Sequence, residues 1–198
     1  MITEILKQYT ENSSLSLLIR HADRDDIPQG SFGNDVLLNS QGKLNSLRFG
    51  ESISELKVNR ILTSPIGRCI QTAEYIAKGY RNSIEIIETT ALGAPGLHIS
   101  DEKVAGDFFL NYGFDEMYKR FLQENNIPGI TKARELNKSI TNFLIENSDT
   151  KGITIFVTHD MLIAFYHYTI NKQVYTKENW VKYLTGILLK DGIYEEST

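Results

Sequence analysis

The segment Gly152-Ile-Thr-Ile-Phe-Val-Thr158 is the most strand-like part of the chain. A short and largely apolar run of this kind is typical of a strand that is buried on both faces of a parallel sheet. Just beyond it, Leu162, Ala164, Phe165 and Tyr168 follow the spacing of a helix with one apolar face. A buried strand that leads directly into a helix indicates an α/β fold.

The same order of strand and helix recurs on both sides of that segment. Strands that alternate with helices predict a three-layer α/β/α fold with a mostly parallel central sheet. The predicted elements are an amphipathic opening segment at residues 2–9, strands at residues 15–19, 60–63, 83–88, 152–158 and 185–189, a helix capped by Ser40, and a helix capped by Ser64 that starts at Pro65 and ends near Gly79.

A stretch rich in Phe and Tyr occupies residues 101–123. Its pattern predicts two short helices broken near Gly113, and the turn formers of residues 127–130 precede a longer helix that ends near Asn147. Neither a linker nor a repeat divides the chain. We therefore expect one domain over residues 1–198, with about 93–131 as a small helical cap or substrate insertion.

Composition narrows the classes of function. The chain has 198 residues, is 41% hydrophobic and carries a formal net charge of -4, which argues against a nucleic-acid partner. The single cysteine, Cys69, excludes an internal disulfide and a cysteine-based zinc cluster. Because no apolar stretch suits a signal peptide or a membrane span, we expect a cytoplasmic protein without a membrane partner; no oligomeric state is predicted.

Three predicted strands end in chemically active residues. The first leads into Arg20 and His21, the second is followed one helical turn later by Arg68, and the third leads into His159 and Asp160. In open α/β sheets the ligand site lies outside the carboxyl ends of the strands. We therefore expect these side chains to converge.

Two histidines, several arginines and a carboxylate together suit phosphoryl chemistry. Arginine matches phosphate oxygens in a bidentate fashion, and a helix N-terminus near Pro65 adds backbone donors for an anion. A neutral imidazole can attack phosphorus, and an acid such as Asp160 can protonate the leaving oxygen. The expected partner is a small phosphorylated substrate, and neither a cofactor nor a metal is predicted.

Four segments resemble a known family. Leu18-Ile-Arg-His-Ala-Asp-Arg24, Leu62-Thr-Ser-Pro-Ile-Gly-Arg-Cys-Ile-Gln-Thr-Ala73 and Val157-Thr-His-Asp160 look like signature segments of the histidine phosphatase superfamily, also called the phosphoglycerate mutase-like fold. Asn39-Ser-Gln-Gly42 is similar to the Leu-Thr-x-x-Gly segment between the first two signatures. In order and spacing, the resemblance covers nearly the whole chain.

The resemblance implies specific roles for the residues at the strand ends. His21 matches the phosphorylated nucleophile, and a phosphate pocket is implied for Arg20, Arg68 and His159. Arg24 matches the second arginine found in acid phosphatases. Asp160 matches the proton donor of that same branch.

Two departures from the family pattern bear on the acid and on the reaction. The mutase branch carries a glutamate after the middle strand, but the loop at residues 91–96 has none, so Glu88 and Asp101 are the alternatives to Asp160. In place of the Glu-Ser or Gln-Ser of mutases, this chain has Asp23-Arg24, which favours hydrolysis over mutase activity. Ala22 also replaces the usual glycine after His21.

The leading hypothesis is a metal-independent phosphatase that hydrolyses a phosphate monoester through phosphohistidine on His21. The alternatives are a phosphohistidine protein phosphatase, a phosphoglycerate mutase-like phosphotransferase, and a non-catalytic phosphate-binding protein. A metal-dependent phosphatase would use the acidic loop at residues 23–26 with His21 and His159. His98, in a loop with Gly and Pro, is a candidate substrate contact.

Overall fold

The elements follow the predicted alternation of strand and helix. The computed structural model describes Leu6 and residues 12–28, 31–123 and 126–195, so the predicted amphipathic opening segment at residues 2–9 lies outside the described residues except for Leu6. The elements in chain order are β1 (Ser14–Arg20), α1 (Ser40–Ser52), β2 (Val58–Thr63), α2 (Gly67–Tyr80), β3 (Glu85–Glu88), a 3-10 turn (Thr90–Leu92), α3 (Glu102–Leu122), α4 (Ala133–Glu146), β4 (Gly152–Thr158), α5 (Asp160–Asn171), β5 (Gly186–Lys190) and β6 (Ile193–Glu195).

The strands form one sheet in the order β3-β2-β4-β1-β5-β6. Strands β1 to β4 are parallel to one another, whereas β5 runs antiparallel to β1 and β6 antiparallel to β5. Every residue of β4 is buried, as expected for a strand with neighbours on both sides and helices on both faces. The predicted α/β fold with a mostly parallel sheet is confirmed.

Alternate side chains of the sheet enter two separate cores. Leu18 on β1 belongs to the core under α3, α4 and α5, and its neighbours Leu17 and Ile19 belong to the core under α1 and α2. Successive side chains of a strand point to opposite faces, so this division places a helical layer on each side of the sheet. The three-layer arrangement follows from it.

Helix α3 bends where the sequence indicated. Gly113 has φ 74°, in the left-handed region that favours glycine, and the predicted break near this residue is confirmed. The second half of α3 packs on α5, where the Phe121 and Phe165 rings stack at 4.1 Å between centroids. The division of residues 1–198 into one domain with a cap at about 93–131 stays a prediction.

Some boundaries differ from the predicted ones. Helix α2 begins at Gly67 rather than Pro65, and Ile66 occupies the cap position. The Ser64 hydroxyl lies 3.0 Å from His159 Nε2 and accepts from the Ile66 N–H at 3.3 Å. Helix α1 is capped by Asn39, whose side chain accepts from the Gly42 N–H, rather than by Ser40. Strand β6 was not predicted. In the described part of the chain, no helix is both long and apolar enough to cross a bilayer.

Candidate active site

The carboxyl ends of three neighbouring strands lie side by side at one edge of the sheet. Because β4 lies between β1 and β2, its last residues are hydrogen-bonded to both neighbours. The His21 N–H donates to the Thr158 carbonyl at 2.9 Å, and the Ser64 N–H donates to the Val157 carbonyl at 3.0 Å. The backbone ladder therefore fixes the start of each loop that carries a site residue.

His21 is buried and held in one tautomer. Its Nδ1 lies 2.8 Å from the carbonyl of Ala22, an acceptor, so Nδ1 carries the proton and Nε2 keeps its lone pair. The Arg68 Nε–H donates to that Nε2 at 3.1 Å. The ring is thus oriented with its unprotonated nitrogen toward a guanidinium group.

The surroundings of His21 keep its imidazole neutral. Burial lowers the pKa of His21 well below its usual 6.5, and the positive charges of Arg68, Arg20 and Arg24 lower it further, while the hydrogen bond to the Ala22 carbonyl acts in the opposite direction. A neutral imidazole has the lone pair that nucleophilic attack requires, and Arg68 has to release its hydrogen bond to Nε2 before phosphorus can reach that lone pair.

Arg68 joins the residues of the three strand ends. Besides its bond to His21, it donates through Nη1 to the Gly33 carbonyl at 2.6 Å and through Nη2 to His159 Nδ1 at 3.1 Å. Its guanidinium fork therefore lies between both histidines. This is the arrangement in which an arginine can bind the oxygens of a phosphoryl group held next to His21.

His159 is fixed from both sides. Its Nδ1 accepts from Arg68, so its Nε2 donates to the Ser64 hydroxyl. Burial lowers the pKa of His159 well below 6.5. Gly93 lies against this pair: a Cβ there would fall 2.5 Å from Ser64 Oγ and 2.7 Å from His159 Nε2. Glycine at this position lets the loop after β3 approach the site.

Arg20 and Asp160 form an ion pair at the floor of the site. Arg20 Nη2 lies 2.8 Å from Asp160 Oδ2, and Arg20 Nη1 donates to the Val181 carbonyl at 2.5 Å. The same Asp160 oxygen accepts from the Trp180 indole at 3.1 Å, and the Arg20 guanidinium lies 4.0 Å from the centre of the Tyr183 ring. Sequence reasoning missed Trp180, Val181 and Tyr183, because this segment has no periodic pattern.

Other candidate residues lie at some distance from these contacts. Arg24 donates to the Asp25 carbonyl at 2.7 Å, and its charge reaches His21. Glu88 is exposed at the end of β3. Asp101 is the exposed N-cap of α3, where its side chain accepts from the Val104 N–H at 3.0 Å. Neither carboxylate has a contact with the two site histidines.

His98 is buried rather than exposed on its loop. The residue is only 4% exposed, and its ring packs edge-on against the Phe165 ring at 6.2 Å between centroids. Burial lowers the pKa of His98 to about 4. The charge of Asp160 acts in the opposite direction, so His98 lies within electrostatic reach of the site. Its role as a substrate contact stays a prediction.

Two carboxylates of the acidic loop at residues 23–26 accept hydrogen bonds from asparagine side chains. Asp23 accepts from the Asn45 side chain at 2.8 Å and Asp25 from the Asn39 side chain at 3.2 Å. Among the described residues, no group of three or more His, Cys, Asp or Glu side chains is arranged to hold a metal ion.

A family comparison agrees with this geometry. The sequence model of the histidine phosphatase superfamily (branch 1) matches residues 16–93, which contain Arg20, His21 and Arg68. Over this stretch the chain is similar to the histidine phosphatase superfamily. The match is to branch 1, and it does not confirm the acid-phosphatase features suggested by Arg24 and Asp160. Among curated protein sequences, none matches this chain.

Solved structures show the same fold at low sequence identity. Phosphoglycerate mutase from Bacillus anthracis is 15% identical, with 95% of this chain and 93% of that chain covered and a TM-score of 0.60. A phosphoserine phosphatase variant from Entamoeba histolytica in complex with phosphoserine is 15% identical, with 93% and 95% covered and a TM-score of 0.54. The protein histidine phosphatase SixA complexed with tungstate is 12% identical, with 93% and 94% covered and a TM-score of 0.50.

Proposed function

We propose that this protein is a phosphatase that passes the phosphoryl group of a phosphate monoester first to His21 and then to water. The observation that carries the proposal is the state of the His21 ring. Its Nδ1 is bound to the Ala22 carbonyl, its Nε2 is unprotonated, and the Arg68 guanidinium lies directly against that nitrogen.

The first step forms a bond between His21 Nε2 and phosphorus while the bond from phosphorus to the leaving group breaks. Arg20, Arg68 and His159 stabilise the phosphoryl oxygens as their charge shifts in the transition state. In the second step, water attacks phosphorus and the P–N bond breaks, which returns the electron pair to Nε2. The attacking water releases one proton to bulk water, and inorganic phosphate leaves.

The proton for the leaving oxygen is the remaining requirement. The sequence assigns it to Asp160, and that assignment stays a prediction. In the structure, Asp160 accepts hydrogen bonds from the Met161 N–H, from Trp180 and from Arg20. Three protein donors thus engage the two carboxylate oxygens, as is typical of a carboxylate that orients its neighbours.

That contact pattern favours a second candidate, a phosphohistidine phosphatase. A phosphorylated imidazole that is protonated on its other nitrogen leaves as neutral imidazole, so the protein need not supply a proton. The likeness in fold to the protein histidine phosphatase SixA supports the same candidate. Mutase-like transfer and non-catalytic phosphate binding are the remaining alternatives.

A substrate panel tests the proposal. We expect the wild-type protein to hydrolyse 4-nitrophenyl phosphate and His21→Ala to lose roughly a thousandfold or more of the turnover. His167→Gln is the matched control, because His167 lies on α5 and bonds the Tyr175 and Tyr194 hydroxyls instead of site residues. Activity retained in His21→Ala would contradict the proposal.

Two further measurements separate the candidates. Faster turnover of a phosphohistidine peptide than of phenyl phosphate favours the second candidate, and the reverse order favours a monoesterase.

We also propose that the activity requires no metal ion and that the enzyme is cytoplasmic. Full activity in excess EDTA supports the first point, and activity lost in EDTA but restored by a divalent cation would contradict it.

A further inference from the structure

The Arg20 side chain is held by a dense set of contacts although it lies in a pocket that must bind an anion. The side chain is only 9% exposed. Nη2 binds Asp160, Nη1 binds the Val181 carbonyl, and the guanidinium lies on the Tyr183 ring. Of these partners only Asp160 lies outside one short segment, residues 180–183.

These contacts leave part of the guanidinium available. Arg20 Nε is buried and has no hydrogen-bond partner, although an arginine has five N–H donors to satisfy. The Tyr183 ring under Arg20 is also 5.7 Å from the His21 ring, measured between centroids. The Arg20 side chain is therefore fixed beside the nucleophile and keeps one N–H without a partner. A residue that binds a phosphoryl oxygen needs such a donor.

Asp160 is the centre of this arrangement. Its Oδ1 accepts from the Met161 N–H at 2.9 Å, and its Oδ2 accepts both from Arg20 at 2.8 Å and from the Trp180 indole at 3.1 Å. Two donors on one oxygen suit a charged carboxylate that orients a cation. The indole in turn is packed edge-on against the Phe114 and Tyr118 rings of α3, at 4.9 and 5.3 Å between centroids.

We propose that Asp160 and Trp180 are positioning residues that hold Arg20 in the geometry needed to bind the phosphoryl group. The inference rests on the proposed function, because it assigns the phosphoryl group to the pocket beside His21. Asp160 then acts through Arg20 and does not deliver a proton to the leaving group. Trp180 is the link through which the packing of α3 fixes the phosphate pocket.

The experiment measures the binding of inorganic phosphate, which involves no turnover. Trp180→Phe keeps an aromatic ring and removes the indole N–H, and Asp160→Asn removes the charge that holds Arg20. Tyr168→Phe is the matched control, because it removes a hydrogen bond of 2.8 Å to the Leu122 carbonyl elsewhere on α5. Titration calorimetry gives the Kd for each variant, and circular dichroism with thermal melting confirms folding.

We expect Asp160→Asn to weaken phosphate binding roughly ten- to a hundredfold and Trp180→Phe roughly three- to tenfold, because each loosens a charge-assisted bond. The double variant should bind phosphate at most about twofold more weakly than Asp160→Asn alone, because both changes act on one chain of contacts. A Kd for both single variants within about twofold of that for Tyr168→Phe would overturn the proposal.

Kinetics add a test that a purely structural role would not meet. A positioning role predicts that Asp160→Asn lowers kcat/KM for phenyl phosphate and for 4-nitrophenyl phosphate by the same factor. A proton donor would instead matter far more for phenyl phosphate, whose leaving oxygen is more basic. Normal phosphate binding combined with a selective loss of phenyl phosphate activity would overturn the proposal.

The protein carries its own reporter for this contact. Trp180 is the single tryptophan of the chain, so the intrinsic fluorescence comes from the indole that binds Asp160. Phosphate should change the emission of the wild-type protein and of Tyr168→Phe, and should change that of Asp160→Asn much less. A wild-type protein that binds phosphate but never hydrolyses an ester would refute the proposed function, whereas equal Kd values among the variants refute only the positioning role.

Discussion

Acid should destabilise the folded protein through His98. The ring is buried against Phe165, and burial lowers its pKa from 6.5 to about 4. Its Nδ1 has no hydrogen-bond partner, and the ring packs so closely over Gly96 that a Cβ there would lie 2.7 Å from this nitrogen. A proton on His98 would therefore place a charge in surroundings that cannot solvate it.

The sign and size of the effect follow from linkage. The unfolded chain binds a proton at His98 below about pH 6.5, whereas the folded chain binds it only near pH 4, so stability falls as the pH drops between these values. Each pKa unit corresponds to about 1.4 kcal/mol, so the contribution of His98 at about pH 5 is a loss of roughly 2 kcal/mol in the free energy of unfolding. Above about pH 6.5 the contribution is close to zero.

Urea unfolding of the wild-type protein and of His98→Gln, followed by Trp180 fluorescence at neutral pH and at about pH 5, isolates this contribution. His21 and His159 shift in the same direction but are present in both proteins, so their effects cancel in the comparison. The wild-type protein should lose roughly 2 kcal/mol more than the variant between the two pH values. An equal loss in both proteins would refute the reasoning.

The remaining predictions concern the site itself. Arg68→Lys keeps the charge but cannot reproduce the three bonds of the guanidinium group, and kcat/KM should fall about a hundredfold or more; a loss of less than tenfold would contradict the assigned role. Gly93→Ala places a methyl group against Ser64 and His159, so it should lower activity about tenfold and stability by about 1 to 3 kcal/mol. Gly113→Ala is its control: φ is again positive, but an added Cβ would have no atom within 4 Å other than its own chain neighbours and the adjacent helix backbone, so stability should fall by about 1 kcal/mol while activity is unchanged.

Much of the fold was readable from the sequence because the strands of a parallel sheet have a strong pattern. Strand β4 begins and ends at the predicted residues, Gly152 and Thr158, and the break of α3 at Gly113 follows from the freedom of glycine. Helix boundaries were less accurate. Ser64 has the sequence signal of a helix cap, but in the folded protein its hydroxyl meets a histidine 95 residues away.

The site was predictable only in part. The rule that strand ends carry the ligand site brought together Arg20, His21, Arg68 and His159. The contacts that orient them could not be predicted, because they involve carbonyl groups and aromatic rings in irregular segments. The clearest example is Asp160: its position at a strand end was predicted, whereas its engagement by Trp180 depends on a loop without periodicity.

The most direct test of the account is to look for the phosphorylated enzyme. The protein is mixed with substrate, quenched within milliseconds at alkaline pH, digested and analysed by mass spectrometry. The account predicts one phosphoryl group on the peptide that contains His21, and none in His21→Gln treated in the same way. Steady turnover with no phosphoryl group on the protein, or with that group on His159 instead, would contradict the account.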